Sequence, residues 1–211
     1  MPIRPPRKMS SGRSVIQEPG AGPYRRCSWA GDDPLMVRYH DTEWGVPVHD
    51  DRRWFEFIVL DGFQAGLAWR TVLHKREAFR RVFYDFDPQR VAAMPAAAMA
   101  KAMADKAIIR NRLKVNAAVG NARAFLQLQE RYDTFDAFIW AFTDGQVIHN
   151  RWRTPRAVPA TTKLSDRVSK ALKQHGFTFV GSTICYAFLQ AAGVVNDHLA
   201  DCFRHAELMA T

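Results

Sequence analysis

The chain has 211 residues, 47% of them hydrophobic and 24% charged, which supplies enough apolar material for one well-cored domain or two small lobes and argues against wholesale disorder. No stretch approaches the roughly 18–20 apolar residues of a membrane span, and the basic start lacks the apolar segment of a secretory signal, so a cytoplasmic protein is expected. The net charge of +9 favours a polyanionic partner, because Lys and Arg that neutralise phosphates release condensed counterions.

In chain order, residues 1–25 read as a disordered basic leader rich in Pro, Ser and Gly; residues 1–26 hold six Arg or Lys against the single Glu18. A helical domain is expected over 26–205, followed by a flexible tail at 206–211. Asp50 and Asp51 are placed to cap a helix running to about Gly66, with Trp54, Phe55, Phe57, Ile58 and Leu60 at helical spacing. A second helix is expected from about Thr71 to Tyr84. Asp87-Pro88 has the chemistry of a cap and first turn, and Pro95 opens an alanine-rich helix. Arg110-Asn111-Arg112 forms a polar turn, and Val115, Val119, Ala122, Phe125 and Leu126 mark one side of the helix that follows. Thr134 caps Phe135 to Phe142. Residues 143–163 lose periodicity and read as a long surface loop or a crossing between lobes. Ser165 is expected to cap a helix to about His175, stopped by Gly176. An apolar helix follows from about Ser182 to Ala192, and the last ordered piece spans Asn196 to about Arg204. The fold class is therefore all-α.

Two constellations carry chemistry. Cys27 and His40 near the start, with His198 and Cys202 near the end, offer a Cys2His2 set suited to tetrahedral zinc. His198 and Cys202 lie four apart, one helical turn if that piece is a helix. Each pair alone reads equally as a surface His and a buried free Cys. Three cysteines, odd in number and far apart, do not suggest a disulfide framework, and Cys185 is left as a core residue. The second constellation is aromatic and acidic. Trp29, Tyr39, Trp44, Trp54 and Trp69 gather in the first third, beside Asp61 on an otherwise apolar helix, where a carboxylate is costly without a partner or a task. A cleft with such walls suits a flat cationic base; a buried structural Asp in an aromatic core is the alternative.

The motifs Cys27-Ser-Trp, Tyr39-His-Asp-Thr-Glu-Trp-Gly-Val-Pro47, Gln64-Ala-Gly-Leu-Ala-Trp69, Gly120-Asn-Ala-Arg-Ala-Phe125, Phe179-Val-Gly-Ser-Thr-Ile-Cys-Tyr186 and Val195-Asn-Asp-His198 together resemble the 3-methyladenine DNA glycosylase I family of the helix-hairpin-helix superfamily, from about Arg26 to Cys202. The resemblance implies two helical lobes whose termini are joined by one structural zinc ion on Cys27, His40, His198 and Cys202. It implies a base pocket of Asp61, Tyr39 and Trp69, with Trp29 and Trp44 as further walls. Asp61 stands where the family has Glu, one methylene longer. The hairpin that grips DNA phosphates maps to about Asp105–Lys114, with Ala107 and Leu113 in place of the usual glycines and Arg110, Arg112 and Lys114 offering direct phosphate contacts. The turn containing Gln64, Gly66 and Leu67 resembles the segment that wedges into the duplex. The implied activity is hydrolysis of the N-glycosidic bond of 3-methyladenine in double-stranded DNA by a monomer, leaving an abasic site. A non-catalytic duplex-binding protein on the same scaffold is the alternative.

Overall fold

The computed structural model describes residues 24–210. The leader expectation thus falls outside the described residues except at Tyr24 and Arg25. Asp33 accepts hydrogen bonds from the Leu35 and Met36 amides, and Pro34 fills the first helical position, so α1 runs Pro34–Thr42. Asp50 caps α2 (Asp51–Gln64) through the Arg53 amide. Asp51 works elsewhere: its carboxylate accepts from the Phe135 and Asp136 amides and from the Gln129 side chain, fastening α2 to the start of a later helix.

The single helix expected from Thr71 to Tyr84 is two, α3 (Trp69–Leu73) and α4 (Arg76–Val82). Two forces break it: Arg70 and His74 are both drawn to Asp33 at 2.8 Å, and Lys75 turns away to donate to the Lys106 and Ala107 carbonyls. Tyr84, Asp85 and Phe86 then take positive φ, which ends helical propagation before α5 (Pro88–Ala92), capped by Asp87. Helix α6 (Ala96–Ala104) and the long α7 (Arg112–Tyr132) flank a turn at residues 105–111, with Asn111 capping α7 through the Lys114 amide. Thr134 caps α8 (Phe135–Trp140) as expected, and a short 3-10 turn, Ala141–Thr143, continues it.

Residues 143–163 are mostly irregular, as their lost periodicity suggests, and are pinned by a two-residue parallel bridge in which Ile148 pairs with Val195 and His149 with Asn196. The cap of α9 (Lys163–Gln174) is Thr162, three residues before the expected Ser165; Ser165 instead returns the bond, its hydroxyl accepting from the Thr162 amide in a reciprocal box. Gly176, at φ +85°, terminates α9. Helix α10 spans Ser182–Ala191 and α11 spans Phe203–Met209. Helix α11 thus extends through residues 206–209 of the segment expected as a tail, and its Leu208 is buried.

Helix α2 is the hub, packed against α3, α7, α8 and α10. Its apolar positions Trp54, Phe55, Phe57, Leu60 and Phe63 are essentially inaccessible and join Phe79, Phe125, Phe135, Leu128, Ile139 and Leu189 in one continuous core. Each such side chain contributes about 1.5–3 kcal/mol by its burial. On one side α5 and α6 pack on α7; on the other, α9 pairs with α10. A separate small cluster of Cys27, Leu199 and Cys202, covered by Trp152, Val158 and Phe203, unites the two ends of the chain. No helix among the described residues is long and apolar enough to cross a membrane.

Candidate active site and metal centre

A cleft of about 450 Å³ opens between α1, α2, α3 and α10, within the size range of small-molecule sites. The expected pocket residues Trp29, Tyr39, Trp44, Asp61 and Trp69 all line it, joined by Gln64. Tyr39 and Trp69 lie with ring centroids 5.1 Å apart, and Trp29 and Trp44 meet edge to face at 5.0 Å. Sequence reasoning missed Asp33, Arg70 and Gln190, which also line the cleft. Asp33 fixes the lip: it caps α1 while gripping Arg70 and His74 on α3, and so sets the spacing of the helices that carry Tyr39 and Trp69. The Asp33-Pro34 dipeptide, with Arg70 and His74 four apart, is the signal that would have found it.

Asp61 is only 2% exposed. Its Oδ2 has no hydrogen-bond partner, and neither does Trp69 Nε1. Burial pushes the Asp61 carboxyl well above the usual carboxylate range, because a low-dielectric site disfavours the charged form. Tyr39 is pushed up as well, by burial first and then by the nearby Asp61 charge. An unpaired acceptor and an unpaired donor thus flank one aromatic cleft. Buried polar groups almost always find partners within the protein or in water, so both atoms are available to water or to a ligand in the cleft.

The four residues of the Cys2His2 set come together, all buried, with their ligand atoms within 4.8 Å of one another. The expectation that His198 and Cys202 share a helix is not met. Both lie in turns between Asn196 and α11, and Cys202 is the residue that precedes α11. They converge because the Asn196 side chain accepts from the His198 amide and the Leu199 carbonyl accepts from Cys202, folding the segment back. Both imidazoles have their outer nitrogens engaged: His40 Nδ1 lies 2.7 Å from Asp41, and His198 Nε2 lies 3.0 Å from the Trp44 carbonyl. Each outer N–H donates, which leaves His40 Nε2 and His198 Nδ1 as lone pairs facing the sulfurs. Arg26 clamps Asp41 in turn. The two thiols are coupled: a hydrogen bond from Cys27 holds Cys202 far below the usual thiol range and drives Cys27 upward. This group can hold a metal ion. Its imidazoles also touch the pocket walls, Trp29 against His40 at 5.2 Å and Trp44 against His198 at 4.6 Å.

The residues expected to face DNA separate into two kinds. Gly66, at φ +77°, forms an exposed turn with Leu67, which is 42% exposed, and Gln64 reaches from that turn into the cleft. Arg110 on the turn before α7 and Arg112 at the first position of α7 are exposed, beside Leu113 at 69% exposure. Lys114 departs from the expectation. It is 7% exposed and turned inward, its Nζ donating to the Phe63 carbonyl at 2.7 Å and the Ala65 carbonyl at 2.6 Å. Occupying the third position of α7 points it away from the turn and back onto α2. Cys185 is the expected core residue, its thiol donating to the Val180 carbonyl.

Residues 29–205 match the profile of the methyladenine glycosylase family. The chain belongs to this family. DNA-3-methyladenine glycosylase 1 of Escherichia coli is 49% identical over 177 residues, which are 84% of this chain and 95% of that protein. A crystal structure of 3-methyladenine DNA glycosylase I superposes with a TM-score of 0.83 at 48% identity, covering 85% of this chain and 98% of that one. The Staphylococcus aureus 3-methyladenine DNA glycosylase I, from a study of 3-methyladenine recognition, gives 0.82 at 34% identity over 86% and 97%. Family membership accounts for the helical array.

Proposed function

We propose that this member of the methyladenine glycosylase family is a monofunctional DNA repair enzyme that hydrolyses the N-glycosidic bond of 3-methyladenine in double-stranded DNA and leaves an abasic site. The observation that carries this reading is the pairing of an unpartnered Asp61 Oδ2 with an unpartnered Trp69 Nε1 in one aromatic cleft. Methylation at N3 makes the base formally cationic, so aromatic faces and a carboxyl attract it in preference to neutral purines. Tyr39 and Trp69 stack on the extruded base, and Trp29 and Trp44 close the far wall. Asp61 takes the amino edge or offsets the positive charge. Asp reaches one methylene less far than the family Glu, and this shortening bears on rate and substrate range rather than on charge.

Bond cleavage releases a neutral leaving group and calls for little acid catalysis, so extrusion, orientation and stacking supply most of the rate. Leu67, exposed beside Gly66, fills the gap the base leaves in the stack. Arg110, on the turn between α6 and α7, and Arg112, at the start of α7, contact phosphates, and this turn acts as the helix-hairpin-helix element. The protein works as a cytoplasmic monomer.

Zinc suits the Cys2His2 set. Tetrahedral geometry with usual Zn–S and Zn–N bond lengths requires S···N separations of about 3.6 Å; three of the four pairs lie at 3.4 Å (Cys202 to His40), 3.5 Å (Cys202 to His198) and 3.7 Å (Cys27 to His198), and all the ligand atoms lie within 4.8 Å of one another. Four protein donors leave no open position for water, so the ion is structural and holds the two chain ends together.

Single-turnover release of free bases from methylated duplex DNA, identified by chromatography beside an unmethylated control, tests the activity. Release of 3-methyladenine is expected. Duplex binding by folded, metal-loaded protein without base release would instead identify a binding module on the same scaffold.

A further inference from the structure

Lys114 occupies the third position of α7, where the amino-terminal end of a helix repels a cation. Burial lowers its pKa, and none of the ion pairs among the described residues includes it. The side chain is nonetheless held in place, because it donates to the carbonyls of Phe63 and Ala65. These belong to the last turn of α2 and its cap, carbonyls that helix termination leaves without internal partners. Asp61 precedes them by two residues and Gly66-Leu67 follows them directly. On the other side of the 105–111 turn, Lys75 donates to the Lys106 and Ala107 carbonyls. The turn that carries Arg110 and the exposed turn that carries Leu67 are therefore tied to one frame by two lysines, with Lys114 as the direct strut.

We infer that Lys114 is a positioning residue for base extrusion, fixing the Gln64–Leu67 turn relative to the 105–111 turn so that the grip on the phosphates sets where Leu67 enters the duplex. The inference rests on the glycosylase reading above. An apolar side chain of similar length keeps the space filled but releases the two carbonyls, leaving the Leu67 turn free to shift while the cleft between α1, α2 and α3 keeps its walls.

The test compares Lys114→Met with wild type in three measurements: single-turnover release of 3-methyladenine from methylated duplex at saturating enzyme, affinity for free 3-methyladenine by tryptophan fluorescence, and affinity for unmethylated duplex. The expected result is a tenfold or greater fall in release, with free-base affinity within twofold and duplex affinity within threefold. Lys114→Arg, which keeps the charge and donors, is expected to recover release to within threefold of wild type. If the methionine variant does not fold, Lys114→Gln carries the same comparison. Unchanged release overturns the assignment, as does a parallel fall in release and free-base affinity, or an arginine variant as slow as the methionine one. No release by wild type would overturn the glycosylase reading, and this assignment with it; release by wild type with no loss in the variants overturns the assignment alone.

Discussion

Replacing Asp61 by Asn should stabilise the protein while slowing it. The Asp61 carboxyl is buried, lacks a partner at Oδ2 and is raised well above its ordinary value of 3.8. The folded state therefore holds a proton that the unfolded chain has already released. The sign follows: below the unfolded pKa the group costs nothing, and as pH rises through the window between the unfolded and folded values, stability falls. The maximum slope is about 1.4 kcal/mol per pH unit, or roughly 3–6 °C in Tm per pH unit for a chain of this size. Above the folded pKa the full cost of the buried charge is present. The groups that feel Asp61, Tyr39 and Cys185, are themselves pushed up, Cys185 to about 12, so both stay neutral and add no slope of their own. Asn cannot titrate, so the difference in Tm between variant and wild type should be smallest near pH 4 and widen in favour of the variant by pH 8. Release of 3-methyladenine should meanwhile fall about ten- to hundredfold, the worth of a hydrogen bond to a charged group. Scanning calorimetry of both proteins from pH 4 to 8 makes the check. A difference that stays flat with pH would show that Asp61 does not carry its proton into the fold.

Other perturbations address the frame around the pocket. Cys202→Ala should lower metal content and Tm together, while Asp41→Ala, which frees the outer nitrogen of His40, should weaken metal affinity about 10–100-fold in a chelator competition; a metal-free Cys202 variant as stable as wild type would refute the clip. Arg110→Ala and Arg112→Ala should each reduce the salt dependence of duplex binding by about one unit of slope, uniformly across sequences, and a titration over salt concentration reads this directly. Gly193→Ala should cost about 2–5 kcal/mol, because a Cβ there would lie 2.3 Å from the Val46 carbonyl carbon on a backbone already at φ +73°; urea unfolding measures it.

Much of this molecule can be read from side-chain chemistry. Thr134 and Asp87 announce their helices, and the pocket residues are recognisable because aromatic rings cluster around an acid on an apolar helix. Where reading fails, a tertiary contact overrules a local signal. The α3–α4 break depends on Asp33 pulling Arg70 and His74 sideways, and nothing in the local spacing of residues 71–84 shows that pull. Helix α1 carries a plain cap-and-proline signature in Asp33-Pro34. Lys114 looks like a phosphate contact until its helix position turns it toward Phe63 and Ala65. His198 and Cys202 share a spacing that fits a helix, but the turn made by Asn196 and Leu199 brings them together instead.

The Cys2His2 set is divided between early and late parts of the chain, with Cys27 and His198 separated by 171 positions. During synthesis at roughly 5–20 residues per second, Cys27 and His40 emerge about ten to thirty seconds before His198 and Cys202. Throughout that interval Cys27 is an open thiol with no partner sulfur. Any metal capture by this group would consequently be among the last steps of maturation, and a chain that stops short of Cys202 would contain most of the aromatic cleft but lack a quarter of the ligand set.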